Sequence, residues 1–165
     1  MKGSVASTPE SKKIDKSVRT VSKKLSKSFS GYDIGHRKNK PLFVDIPIAC
    51  CPDGGIWLDD QKKVVAAFEA KHQGDLGNAI ERWCKNYAVL MSQRSKKFRY
   101  VTFMSGIGSH TDEVLDKFAR AMLQIYNKEG NKDINKLNDD GISFFLSPDG
   151  FTDEQIEAVM RKALS

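Results

Sequence analysis

Apolar residues in this chain recur with two different periods, and the period changes at turn-forming residues. Ile14, Val18, Val21, Leu25 and Phe29 follow one another at spacings of four, three, four and four. That is the stripe of an amphipathic helix, with lysines on its other faces. Ser7 with Glu10 three positions later reads as a capping box, and Pro9 suits the first helical turn. Residues 1–6 carry no pattern and are expected to fray, and residues 31–41 read as a loop. Apolar, β-branched runs then take over at 42–49 (LFVDIPIA), 56–58 (IWL) and 63–70 (KVVAAFEA). Pro47 marks the first of these as an edge or a bulge. Pro52-Asp53-Gly54-Gly55 is turn chemistry, and Asp59-Asp60-Gln61-Lys62 joins the second and third runs as a hairpin.

The second half alternates the two periods. Residues 77–94 set Ile80, Trp83, Cys84, Tyr87, Leu90 and Met91 on one helical face. Residues 98–105 (FRYVTFMS) read as a strand, and 111–128 as a helix with Val114, Leu115, Phe118, Met122 and Ile125 inward. Residues 142–146 form a short strand, and Thr152 with Gln155 is a second capping box opening a last helix through residue 164. Strands alternating with helices predict an α/β fold, a mixed central β-sheet flanked by helices. Trp57 and Trp83 fall on apolar faces and are expected in the core.

Charge changes this picture at the N-terminus. The chain has 165 residues, the size of one domain, and a net charge of +6. Residues 1–40 hold eleven Lys or Arg against three acids, a balance of +8, which leaves −2 for residues 41–165. The expected organisation is a basic N-terminal helix and loop over 1–40 and a compact core over 41–165. A polyanion is one natural partner for such a segment, and a solubilising tail is the plainer alternative. No run of eighteen apolar residues predicts a membrane span, and the N-terminus has no apolar segment of the secretory kind. Three cysteines, two of them adjacent (Cys50 and Cys51), make no disulfide framework, and no Cys-x-x-Cys or paired-His spacing suggests zinc. Reduced thiols in a cytoplasmic protein are the expectation, with no role assigned to Cys50 or Cys51.

The candidate chemistry lies in the hairpin. If its strands pair, Asp53 at the start of one lies near Glu69 at the end of the other. Glu69 and Lys71 are two apart on an extended chain and share a face, while Ala70 points the other way, into the core. Two carboxylates suit a hard divalent cation, which prefers oxygen ligands and keeps some of its waters. Such a cation can lower the pKa of a bound water, and the lysine can orient that water or stabilise developing charge. Hydrolysis of a phosphodiester to a 5′-phosphate and a 3′-hydroxyl fits this set. A strand end that happens to carry Glu and Lys, beside an Asp in a turn, fits it as well. A second Pro-Asp-Gly at 148–150 has no Glu-x-Lys nearby and reads as a plain turn.

Three flanking blocks carry a resemblance: Pro52-Asp53-Gly54-Gly55-Ile56, then Glu69-Ala70-Lys71-His72-Gln73-Gly74, then Gly77-Asn78-Ala79-Ile80-Glu81-Arg82 with Lys85-Asn86 following. In this order they resemble the EcoRI-type type II restriction endonucleases of the PD-(D/E)xK nuclease family. The dense similarity covers about thirty-five residues, continues weakly into 98–103, and is poor before Pro41 and after Gly106. The resemblance implies a PD-(D/E)xK core, Mg²⁺-dependent double-strand cleavage and a homodimer on palindromic double-stranded DNA. It implies Asp53, Glu69 and the backbone carbonyl of Ala70 as metal ligands and Lys71 as the catalytic lysine. It assigns reading of an AATT centre to Asn78, Ala79, Glu81 and Arg82.

Side-chain chemistry suits that last role. Asn pairs with an adenine edge and Arg with purine N7 in the major groove. An Asn cap with Glu in the first helical turn is the plainer reading of the same residues. Two departures stand out. Only Asp75 and Leu76 lie between Gly74 and Gly77, where the family carries a long insert. Cys51 stands where the family has a lysine near phosphate. The basic helix of residues 9–28 is the segment expected to compensate with phosphate contacts. The remaining alternatives are a Mg²⁺-dependent DNA nuclease of relaxed specificity and a non-cleaving DNA-binding protein.

Overall fold

A computed structural model describes residues 9–35, 50–72, 76–106, 112–127 and 133–165. Helix α1 (Pro9–Leu25) leads into strands β1 (Asp33–Gly35), β2 (Ile56–Leu58) and β3 (Val64–His72). Helix α2 (Leu76–Ser92), strand β4 (Arg94–Ser105), helix α3 (Asp112–Tyr126), strand β5 (Gly141–Ser147) and helix α4 (Asp153–Leu164) follow. The five strands form one mixed sheet in the order β1-β2-β3-β4-β5. The first two pairings are antiparallel. The last two are parallel, with α2 and α3 as the crossovers. The fold is thus α/β, a mixed sheet with helices on both faces.

Strand alternation divides the core. Ile56, Leu58, Val64, Ala67, Tyr100, Met104, Ile142 and Phe144 face α2 and α3. Trp57, Ala66, Phe68, Ala70, Val101 and Phe103 face α1 and α4. The predicted stripe of α1 supplies Ile14, Val18, Val21 and Leu25 to that second layer, all buried, with Phe29 packed at its margin. The basic segment is therefore anchored by its apolar face, which is how a short helix gains stability in water. Trp57 and Trp83 are both fully buried, as the pattern predicts. The Thr152 capping box of α4 forms as read, with Thr152 Oγ1 accepting from the Gln155 N–H at 3.2 Å.

Three readings change. Residues 33–35, expected in a loop, are a short edge strand held by its partner, with Ile34 opposite Trp57. Ile125, expected inward, is 61% exposed. Met122 is buried as predicted, alongside Ala119 and Leu123, and Tyr126 packs on Tyr87 with tilted rings at a separation of 4.3 Å. Cys84 is likewise exposed, because α2 turns Trp83, Asn86, Tyr87 and Leu90 inward. The side chains of Ile80, Val114, Leu115 and Phe118, the capping Ser7, residues 1–6 and the run 42–49 lie outside the described residues. Among the described residues no helix is long and apolar enough to cross a membrane.

Candidate active site

The hairpin brings its distant ends together through continuous backbone pairing. Ile56 lies opposite Ala67 and Trp57 opposite Ala66. Beyond β2 the ladder continues, with the Gly54 N–H donating to Phe68 O at 2.8 Å and the Phe68 N–H to Gly55 O at 3.3 Å. The next outward-facing donor, the Ala70 N–H, is taken by Asp53 Oδ2 at 3.3 Å. Asp53 is thus fixed against the residue between Glu69 and Lys71. A residue that points its N–H to one side of a strand points its C=O the same way. The Ala70 carbonyl therefore projects toward the Asp53 side.

Gly54 makes this approach possible. A Cβ there would sit 2.6 Å from Phe68 Cβ and 2.9 Å from Val18 Cγ1. Its carbonyl accepts from Ser22 Oγ at 2.6 Å and Trp57 Nε1 at 3.2 Å, which pins the turn to α1 and to the core. Gly55 carries the positive φ of 80° that closes the turn onto Pro52 O.

Glu69 and Lys71 share a face, as their spacing requires, and Lys71 Nζ lies 2.7 Å from Glu69 Oε1. Both side chains are nearly inaccessible, at 3% for Glu69 and 7% for Lys71. Ala70 points into the opposite core layer. Burial pushes the Glu69 carboxyl up to about 7; the Lys71 ammonium opposes this and Asp53 adds to it. Its second oxygen, Oε2, is buried and finds no hydrogen-bond partner among the described residues. A buried carboxylate oxygen without a donor is costly, and costly groups of this kind collect where a ligand completes them.

Two residues of α1 join this corner, and the motif did not reveal them. Asp15 is pushed up to about 6, first by burial and then by the Asp53 carboxylate; Lys71, Arg19 and Arg82 pull the other way. It is one of two acids in an otherwise basic helix, which is the signal that could have found it. Arg19 places NH2 2.9 Å from Asp53 Oδ1. The corner therefore gathers Asp15, Asp53 and Glu69 with Arg19 and Lys71.

Three residues separate β3 from helix α2, so the block expected to recognise DNA opens beside the same sheet end. Glu81 and Arg82 are exposed, and the charge of Arg82 reaches both Asp15 and Glu69. Asn78 and Ala79 lie in the first turn of α2, with side chains outside the described residues. His72 is turned away from Lys71, its Nδ1 3.2 Å from Ser105 Oγ. Cys50 is buried, which with Glu69 nearby pushes its thiol up to about 12 and keeps it neutral. Behind Glu69 lie Thr102, its register partner on β4, and Tyr100, whose hydroxyl meets Asn86 Nδ2 at 3.4 Å.

The donor set suits a hard cation. Asp53, Glu69 and the Ala70 carbonyl offer oxygen alone, and the partnerless Glu69 Oε2 is the atom such an ion would satisfy. Among the described residues no group of three or more His, Cys, Asp or Glu side chains forms a ready-made metal cage. Two carboxylates and a carbonyl are the sparser set used by a cation that keeps its waters. The corner lies at the carboxyl ends of the parallel strands, the usual place for a site in an open α/β sheet. No family model matches the chain, and neither a curated protein nor a solved structure matches it.

Proposed function

We propose that this protein is a Mg²⁺-dependent endonuclease of the EcoRI-type PD-(D/E)xK class that cuts double-stranded DNA. The observation that carries the reading is the Asp53–Ala70 bond beside the Lys71–Glu69 pair, with Glu69 Oε2 left without a partner. Asp53, Glu69 and the Ala70 carbonyl would hold the ion. When bound, the ion would supply charge neutralisation at the phosphate and a more acidic water.

The chain's own residues do the rest. Lys71, fixed by burial and by Glu69, presents a preorganised positive charge to the charge developing on the phosphate oxygens. Glu69 in turn holds the Lys71 ammonium in position. In-line attack of water on phosphorus breaks the bond to the 3′-oxygen, leaving a 5′-phosphate and a 3′-hydroxyl. Asn78, Ala79, Glu81 and Arg82 at the start of α2 would read base edges in the major groove, with an AATT-centred palindrome as the target. A palindrome calls for two copies related by a two-fold axis, so the acting species is a homodimer. Reduced thiols and a DNA substrate suit a cytoplasmic home.

Digestion of supercoiled plasmid with Mg²⁺, followed by end sequencing, tests the proposal. Discrete 5′-phosphate ends at an AATT-centred palindrome are expected. A smear of ends would replace this reading with a nuclease of relaxed specificity. Uncut plasmid with a footprint would replace it with a non-cleaving DNA-binding protein.

A further inference from the structure

The two cations of the corner differ in kind. Lys71 is buried and bound to Glu69, whereas Arg19 reaches Asp53 from outside with 55% of its side chain exposed. Arg19 therefore sits at the mouth of the site on a long, flexible stem. Its guanidinium occupies one oxygen of a carboxylate that a divalent cation would need.

Arg19 is also part of a line. Lys12, Lys16, Arg19 and Lys23 succeed one another at spacings of four, three and four, and all four are exposed. They form one outward stripe on α1, away from the buried stripe of Ile14, Val18, Val21 and Leu25. Lys24 is engaged on another flank, at 2.6 Å from Glu157 of α4. From Lys12 to Lys23 the stripe runs about 16 Å at the α-helical rise. That is roughly five base-pair steps of duplex, so the stripe suits a phosphate backbone passing over the corner. Guanidinium binds phosphate and carboxylate with the same planar fork, so transfer from one to the other needs only side-chain rotation.

Resting on the nuclease reading, we propose that Arg19 is an exchangeable cation: it neutralises Asp53 in the DNA-free protein and passes to a backbone phosphate when a divalent cation is bound at Asp53. Arg19 then weakens ion binding in the free protein and no longer does so in the complex, because DNA draws the guanidinium away. Ion and DNA binding are thereby coupled, each favouring the other. Arg19 is a substrate-binding residue in this scheme and Lys71 remains the fixed charge.

The test uses Mn²⁺ as a paramagnetic probe, titrated into the DNA-free full chain and followed by electron paramagnetic resonance. Arg19→Gln is expected to bind Mn²⁺ roughly two- to fivefold more tightly than the parent, the scale of a lost exposed ion pair. Binding to a duplex with a central AATT, measured in Ca²⁺ across salt concentrations, is expected to lose about 0.9 from its log–log salt slope in the same variant. Arg19→Lys keeps the charge and is expected to restore the slope. Equal or weaker Mn²⁺ binding by Arg19→Gln, or an unchanged slope, overturns the exchange. Glu69→Gln separates the two levels. If it abolishes Mn²⁺ binding while Arg19→Gln behaves like the parent, only the exchange fails. If the parent has no Mn²⁺ site sensitive to Glu69→Gln, the nuclease reading fails and the exchange with it.

Discussion

Pro-Asp-Gly occurs twice in this chain, and the two copies do different work. In Pro52-Asp53-Gly54 the turn closes from the Gly55 N–H to Pro52 O, so Asp53 is its second residue. In Pro148-Asp149-Gly150 it closes from the Gly150 N–H to Ser147 O, so Asp149 is its third. The first Asp is bound by the Ala70 N–H and Arg19 beside a buried ion pair. The second is exposed at the end of β5. Three identical letters thus carry no chemistry of their own. What distinguishes them is the strand opposite: Glu69 and Lys71 border the first copy, and the second leads straight into a capped helix. The first glycine also serves close packing, whereas Gly150 has φ 93° and open space around its α-carbon.

The sharpest way to break this contrast is by activity. Asp53→Asn and Glu69→Gln should each lower plasmid cleavage about 10²- to 10³-fold, the scale of removing a preorganised transition-state group. Asp149→Asn should cleave like the parent. Cleavage rates with saturating Mg²⁺ measure both, and a gel-shift assay should find duplex binding retained in Glu69→Gln. Equal loss from Asp53→Asn and Asp149→Asn would show that the turn, not the corner, matters.

Titration gives the next largest effect. In the absence of divalent ions the folded-state pKa of Glu69 stands at about 7 against 4.5 for the ordinary group, and that of Asp15 at about 6 against 3.8. Both are raised acids. Their contribution is full below the unfolded pKa and is lost as pH rises through the folded one, because the folded state must then bury the charge. The chelated protein should therefore lose stability from about pH 4 to about pH 7, with a fall in Tm on the order of 10 °C. Glu69→Gln should remove about half of that slope, as seen by comparing the two melting curves in a chelator. Asp133, Glu154 and Glu157 shift the opposite way but are common to both proteins, so they cancel in the difference. A parallel pair of pH profiles would remove Glu69 burial from the account.

Local pattern was enough to foresee the Asp53–Glu69–Lys71 corner, because a hairpin and a two-residue strand period are both short-range facts. The buried stripe of α1 was readable for the same reason. Asp15 and Arg19 were not assigned to the site, because which flank of α1 meets Asp53 depends on its docking against β3 and α4, a long-range choice. Ile125 and Cys84 depart from their helical stripes for the same reason: how α2 and α3 rotate against the sheet is a long-range choice that no period within either helix encodes. Strand β1 has only three residues and gains its form from β2, so it carries no pattern of its own.

The smallest effects separate the two glycines. Gly54→Ala puts a methyl group 2.6 Å from Phe68 Cβ and 2.9 Å from Val18 Cγ1, neither of them the free end of a flexible side chain. Phe68 is fully buried and Val18 is locked in α1, so the turn must move instead. The expected cost is about 2 kcal/mol, within the usual range for overpacking. Because the same turn holds Asp53 against Ala70, cleavage should fall by more than the lost stability explains. Gly150→Ala meets nothing within 4 Å, and its penalty comes from the backbone alone, at φ 93°. That should cost about 1 kcal/mol, a Tm change of about 3 °C, and leave cleavage untouched. Urea denaturation of both variants, with cleavage assayed well below their melting temperatures, measures the difference. If Gly54→Ala lost stability yet cut DNA at the parental rate, close packing at the first turn would have no part in setting Asp53 beside Glu69.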